Sequence, residues 1–404
     1  MALDTLIFDP SPCGFPEPRA PLLPAGLDGI APRPVEPWAP AAHFRHFARG
    51  RYALHAACRL AGVGPGAALL APAYHCRTML DPALALAGEI ILYPLAADLS
   101  PDLAAIETLA RRSPFPAKAL LAAHFFGFAQ DFSALADWCA ARGIALIEDA
   151  SHALFCAQHR PAGIGTQGAF VTGSPYKFLP CPDGGLLFAR DAAALDPLSP
   201  LAPPWRAELR GLVDLGRRLA ARRRARAACD PARVEAELAA AARAQQTAAA
   251  ARELRSAAGC SPDYRAAEAN LGPLRSSRAL CRRPDIARIA ERRRDNYLRW
   301  LAATMNLPYC RPLFPELPAG CIPYMFPLLI DAPATRFGLL KRIGLPIWRW
   351  DSLAVSGCAT ASDYRLHLLQ LPCHQSLTDR DMDWMMTAIT KVGAGETARH
   401  PTCP

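Results

Sequence analysis

Lysine is the residue this sequence nearly lacks. Four lysines (Lys118, Lys177, Lys341 and Lys391) stand against 41 arginines in 404 residues. Arginine supplies charge and a rigid donor fork, but its guanidinium does not release a proton and so forms no Schiff base. Nucleophilic amine chemistry therefore rests on very few positions. Apolar runs of membrane-spanning length are also missing, so no membrane partner is expected. The first thirty residues carry six prolines and four acidic groups, without the basic start and apolar centre of a secretory leader. A soluble, cytoplasmic protein is the expectation. The 14 cysteines include no CxxC pair and no Cys/His ladder, so reduced thiols are expected and a zinc site is not.

What is present is a chain long enough for two domains, about half of it apolar, with a net charge of +9. That charge suits small anionic partners such as phosphorylated ligands. Arginine is concentrated in 205–258, an alanine-rich stretch that reads as two helices broken near Asp230-Pro231. A solvated helical insertion explains it, and a docking surface for an anionic partner is the other reading. Few aromatic residues are interleaved there, which argues against nucleic acid.

Residues 1–40 read as a proline-rich extended arm. A helix is expected over Tyr52–Ala61, closed by Gly62 and Gly64-Pro65-Gly66. Apolar runs at Ala68–Leu70, Ile90–Tyr93, Ala119–Ala123, Ala145–Ile147, Ala169–Thr172 and Leu186–Ala189 read as buried strands, with helical stretches such as Ser133–Ala141 between them. This alternation predicts an α/β domain over 41–258, built on a mainly parallel sheet covered on both faces. Ligands of such sheets collect beyond the carboxyl ends of the strands. Asp149 and His152 fall just past one such end, and His124 past another. A smaller α+β domain is expected over 259–392. Its elements are a helical stretch from Arg265, a long helix over Ile286–Ala302, strands at Met325–Ile330 and Ile347–Trp350, and a helix over Asp379–Ile389 capped by Thr378. The tail 393–404 reads as disordered.

Lys177 lies in Thr172-Gly173-Ser174-Pro175-Tyr176-Lys177-Phe178, followed by Asp183-Gly184-Gly185; upstream runs Ile147-Glu148-Asp149-Ala150-Ser151-His152. A buried strand ending in a carboxylate, then a lysine on a loop, is what pyridoxal 5'-phosphate (PLP) requires. The carboxylate keeps the pyridine nitrogen protonated and the lysine binds the aldehyde carbon. Taken singly, Asp149 is also an ordinary helix N-cap, Lys177 an ordinary surface lysine, and His152 an ordinary core histidine. The pair, 28 residues apart with a strand between, is the more specific signal.

Here the sequence resembles the DegT/DnrJ/EryC1/StrS family of PLP-dependent, fold-type-I aminotransferases. The resemblance runs over roughly 45–390 and rests on the order of separated stretches. These are Gly62-Val63-Gly64-Pro65-Gly66, Ala71-Pro72-Ala73-Tyr74, His124-Phe125-Phe126-Gly127, Ile147–Ala153, Gly163–Gly168, Asp183-Gly184-Gly185, Asp263-Tyr264-Arg265 and Leu371-Pro372-Cys373-His374. It implies that Lys177 is the Schiff-base lysine, that Asp149 pairs with the pyridine nitrogen, and that His152 lies beside the ring near its phenolic oxygen. Thr172 would meet the phosphate, and Tyr74 or His75 would cover the ring. It further implies a homodimer with the active site at its interface, Tyr264 and Arg265 reaching across. An amino acid such as glutamate would be the donor. A nucleotide-linked keto-sugar would be the acceptor, in polysaccharide or secondary-metabolite biosynthesis.

Two departures matter. The family usually opens its first helix with Ser-Gly-Thr on the phosphate, whereas this chain has Arg49-Gly50-Arg51. The glycine stays, and a guanidinium can hold a phosphate. Asp263 stands where an asparagine commonly reaches the neighbouring subunit's phosphate, and the insertion at 205–258 has no clear counterpart. These changes motivate a second hypothesis, a scaffold that has lost transamination and only binds or regulates. A third is a PLP enzyme of another reaction type, such as a dehydratase.

Overall fold

The computed structural model describes residues 3–35, 41–155, 165–225 and 229–393. An opening strand, β1 (Leu3–Asp9), lies outside the main sheet. Strand β2 (Phe44–Phe47) leads directly into helix α1 (Gly50–Leu60). Strands and helices then alternate: β3 (Ala68–Pro72), α2 (Asp81–Ala85), β4 (Glu89–Tyr93), α3 (Leu103–Arg112), β5 (Ala117–Ala123), α4 (Ser133–Ala140) and β6 (Ala145–Asp149), with β7 (Phe170–Gly173) and β8 (Gly185–Ala189) after them. The six apolar runs expected as strands are all strands, within a residue or two at each end.

Seven strands make one sheet in the order β2-β8-β7-β6-β5-β3-β4. The run from β4 to β7 is parallel, while β8 and β2 pair antiparallel at one edge. β3 and the last five residues of β5 are wholly buried, as a parallel sheet covered on both faces requires. The chain steps from β3 outward to β4 and then back across to β5, so the strand order switches at β3. A crevice forms at the carboxyl ends there.

Beyond β8 come α5 (Trp205–Ala225) and α6 (Val234–Thr247), broken where Asp230 caps a short 3-10 turn. A strand not foreseen, β9 (Arg252–Ala258), pairs antiparallel along its whole length with β1. The helices α7 (Arg275–Cys281) and α8 (Ile286–Thr304) come next, the second capped by Asp285 on the Arg288 N–H. Then come β10 (Cys310–Pro312), β11 (Met325–Ile330), α9 (Pro333–Arg342), β12 (Leu353–Ala354), α10 (Ala359–His367), β13 (Leu368–Pro372) and α11 (Asp379–Val392). Strands β10, β11 and β13 form a second, antiparallel sheet, and β12 completes the small sheet around β1. Thr378 and Asp381 close a capping box on α11.

Residues 347–350, expected as a strand, make one isolated bridge, Trp348 to Gln370. Their two tryptophans instead line the large cavity at the strand ends. The tail expected to be disordered lies, from 394 on, outside the described residues.

Candidate active site

The cavity opens at the carboxyl ends of the parallel strands. It measures about 1100 Å³ counting its open mouth and is lined by the ends of β5, β6 and β7, the start of α1, and segments around 22, 76, 324, 348 and 370. Its floor begins with two adjacent carboxylates that the strand period sends to opposite faces. Glu148 is fully buried on one side. It binds His124 Nε2 at 2.8 Å and accepts from the N–H groups of Gly165, Gln167 and Gly168. Burial alone would raise its pKa, but these donors hold the carboxyl below the usual range. Glu148 thus fixes the loop before β7 and takes no part in the cavity.

Asp149 faces the cavity. Its Oδ1 accepts from the Ser151 N–H at 2.8 Å and from Thr172 Oγ1 at 3.2 Å. Thr172 pairs directly with Asp149 across β6 and β7, so its hydroxyl orients the carboxylate. That differs from the phosphate contact expected of it. The hydroxyl nearest the start of α1 is Ser174, bonded to Ser151 Oγ at 3.1 Å. A Cβ at Gly50 would collide with Ser174 Oγ, so only glycine lets the helix come this close.

His152 is buried, with Nδ1 accepting the Phe126 N–H at 3.2 Å. Phe126 holds a left-handed backbone (φ 57°) to aim that N–H, a strain of the kind concentrated at functional sites. Burial, with the nearby Lys177 charge, pushes the His152 pKa well below its ordinary value. The ring is therefore neutral, and with Nδ1 accepting, Nε2 carries the proton. It stacks on Tyr324, 4.3 Å between centroids.

Lys177 ends a 3-10 turn that comes after β7, Pro175–Lys177. Its Nζ lies 5.3 Å from the Tyr324 ring centroid, and no carboxylate among the described residues pairs with it. Its carbonyl accepts from Arg293 Nη2 at 2.9 Å. Arg49 N-caps α1 with an extended backbone and no side-chain cap, its carbonyl accepting the N–H groups of Tyr52 and Ala53, and Arg49, Gly50 and Arg51 line the cavity at this helix start. Arg51 Nη1 donates to the backbone carbonyl of Asp263; the Asp263 side chain is exposed.

The structure thus brings Gly50, Arg51, Asp149, His152, Thr172 and Lys177 to one cavity. Tyr74 and His75, expected to cover a ring, are turned away. Both are fully buried, Tyr74 packing 4.9 Å from Trp350 and His75 Nε2 accepting the Ala354 N–H. Cys76 lines the cavity in their place, because the loop after β3 runs inward under β12. Tyr264, expected to reach across an interface, is buried in its own chain with its hydroxyl 2.8 Å from His55 Nδ1; Arg265 is exposed. Sequence reasoning missed Ser174, Tyr324, Trp350 and Arg293. Only Ser174, three residues before the lysine, left a local signal.

Residues 39–201 match the sequence model of the DegT/DnrJ/EryC1/StrS aminotransferase family. That segment holds Asp149 and Lys177, and over it the chain is similar to that aminotransferase family. Its fold is similar to that of the aminotransferase TlmJ from Streptoalloteichus hindustanus, at 19% identity and TM-score 0.58 over 89% of this chain and 88% of that one. It is similar also to Helicobacter pylori PseC, an aminotransferase of pseudoaminic acid biosynthesis, at 13% and 0.59 over 87% of each chain. A third is NtdA of Bacillus subtilis, solved with its cofactor PMP, at 15% and 0.55 over 86% of this chain and 73% of that one.

Proposed function

We propose that this chain transfers an amino group from an amino acid to a keto-sugar, with PLP held in the cavity at the strand ends. The carrying observation is that Asp149 and Lys177, from β6 and from the turn after β7, face one cavity. The donor set fits PLP. Asp149 keeps Oδ1 bonded to the protein and offers Oδ2 to a protonated ring nitrogen. His152 offers Nε2–H for a phenolic oxygen. Gly50, Ser174 and Arg49, at the uncapped start of α1, suit a phosphate. Lys177 is an amine with no carboxylate partner among the described residues, in a cavity where every other cation is a guanidinium.

When bound, PLP supplies the electron sink that lets a bond at the substrate's α-carbon break heterolytically. The chain's residues do the rest. Lys177 Nζ moves the proton from the donor's α-carbon and returns one to the acceptor carbon. Asp149 keeps a positive charge on the ring nitrogen, and Thr172 and the Ser151 N–H hold that carboxylate in line. His152, neutral over the working pH range, donates without adding charge.

Glutamate as donor, a nucleotide-linked keto-sugar as acceptor, and a homodimer in the cytoplasm complete the reading. It divides the chain into an arm (1–40), a large domain with its insertion (41–258) and a small domain (259–392). The +9 net charge supports an anionic acceptor. A second reading rests on Arg51. Its guanidinium is engaged by the Asp263 carbonyl, and a phosphate grip lost there would leave a binding scaffold. Adding glutamate to the PLP-loaded protein, without a keto acceptor, separates the two. Transamination requires loss of the yellow colour with one equivalent of 2-oxoglutarate formed per site; a scaffold shows neither.

A further inference from the structure

The N-terminal arm precedes the matched family segment, yet two of its side chains, Leu22 and Leu23, line the cavity. They are held there on both sides by one tripeptide. His374 Nε2 binds the Pro21 carbonyl at 2.9 Å, Ser376 Oγ accepts the Ala25 N–H at 3.3 Å, and Gln375 Nε2 donates to the Asp28 carbonyl at 3.3 Å. Further along, the Asp285 N–H donates to the Gly29 carbonyl, and a Cβ at Gly29 would collide with Ile289. The arm is therefore inlaid in the surface at this point.

Gln375 does a second thing. The same Nε2 donates to the Phe178 carbonyl at 2.7 Å, next to the lysine, and its Oε1 accepts from Arg293 Nε at 3.0 Å. Arg293 is fully buried. Its Nη2 donates to the Lys177 carbonyl, and its Nη1 to the carbonyls of Pro323 and Tyr324 at 2.9 and 3.1 Å. Its guanidinium lies 4.5 Å from the Phe178 ring centroid. One planar fork thus fixes the lysine turn, the segment carrying Tyr324, and the glutamine that grips the arm. A buried guanidinium is costly unless its N–H groups are used in this way, and a lysine's single ammonium cannot reproduce the fork.

We propose that Leu22 and Leu23 form a built-in wall of the substrate pocket and determine its specificity, and that Gln375, anchored by Arg293, is the positioning residue joining this wall to the Lys177 turn. The specificity part rests on the transamination reading; the joint does not. Trp348 and Trp350 line the same cavity, so the substrate turns an apolar face to this wall, as the C–H face of a sugar ring does, while its polar groups meet the floor.

Two measurements test this. The first follows hydrogen exchange in the peptides covering 20–28 and 174–181 in the full chain, without substrate. Gln375→Ala should speed exchange in both peptides together, by about tenfold or more, while leaving the peptide over β10 unchanged. Loosening of the arm alone, or of neither, would overturn the joint. The second compares single-turnover donor conversion for glutamate and phenylalanine. Leu22→Ala/Leu23→Ala should shift the ratio of their apparent second-order constants at least fivefold, Leu22→Phe/Leu23→Phe should shift it the other way, and Leu22→Met/Leu23→Met should restore it. An unchanged ratio in every well-folded variant would overturn the wall. If the unmodified protein converts no donor at all, the transamination reading fails instead, and the exchange result still decides the joint.

Discussion

The floor and the roof of the cavity are built by opposite strategies. The floor (Asp149, His152, Thr172, Ser174 and Lys177) comes from one stretch of about 30 residues. Parallel pairing of β6 with β7 sets Asp149 opposite Thr172, so the chemistry arises from strand register. The roof (Leu22, Leu23, Tyr324, Trp348, Trp350 and Gln370) gathers the arm and three distant segments of the C-terminal third. The arm reaches them through the pairing of β1 with β12, but Leu22 and Leu23 themselves lie in no strand and are held by side-chain bonds from His374, Gln375 and Ser376, with Arg293 and Gln375 at the joint. On the proposed reading the floor carries the reaction and tolerates little change, while the roof carries selectivity and depends on the whole molecule being folded.

Predictions that separate the two run from large effects to small. Lys177→Ala and Lys177→Arg should each lower single-turnover donor conversion on the order of 10³-fold or more, since a guanidinium cannot form the bond to the cofactor or shuttle its proton. Neither should lower the melting temperature appreciably, because among the described residues the Nζ has no carboxylate partner to lose. Retention of full conversion in either variant would break the division at its strongest point. Asp149→Asn should cost about 10²–10³-fold in the same assay by removing the charge opposite the ring nitrogen. Its fold should persist, because an amide oxygen still accepts from Ser151 and Thr172.

At the joint the order reverses. Arg293→Met should destabilise the protein on the order of 3 kcal/mol, read from urea unfolding, because buried carbonyls of Lys177, Pro323 and Tyr324 lose their donor. Its conversion rate per folded molecule should fall far less than that of Lys177→Ala. Equal losses in both measures would show that floor and roof are not separable.

The smallest effect is a pH dependence behind the floor. Burial, first of all, lowers His75 to about 4 from an ordinary value of 6.5. It is depressed in the folded state, so the unfolded chain binds more protons below 6.5. Stability from this group is present above pH 6.5 and is lost as pH falls toward 4. Melting temperatures should drop across that window. His75→Gln, which cannot charge, should flatten part of the drop, and an unchanged slope would exclude His75 as a source of it.

Legibility in the sequence divides along the same line. Six of the seven strands of the large sheet (all but β2), both helices of the arginine-rich insertion and the Thr378 cap could be read because apolar period and capping chemistry are local. So could Asp149, His152 and Lys177, which sit at strand ends. Strand β9 could not. Its side chains are mostly exposed and its partner β1 lies about 250 residues away, so the pairing is carried by backbone groups that sequence pattern does not record. Tyr74 and His75 were misplaced because the direction of a loop side chain depends on what packs behind it, here Trp350 and Ala354. Arg293 is one of several arginines in the helix over Ile286–Thr304, and nothing in the local sequence sets it apart. Only the fold shows that it points inward.

The most direct test of the central claim is borohydride reduction of the PLP-loaded protein, then peptide mapping of the fixed cofactor. The predicted result is one label per chain, on Lys177 and on none of the other three lysines. A label spread over Lys118, Lys341 and Lys391, or no label, would contradict it.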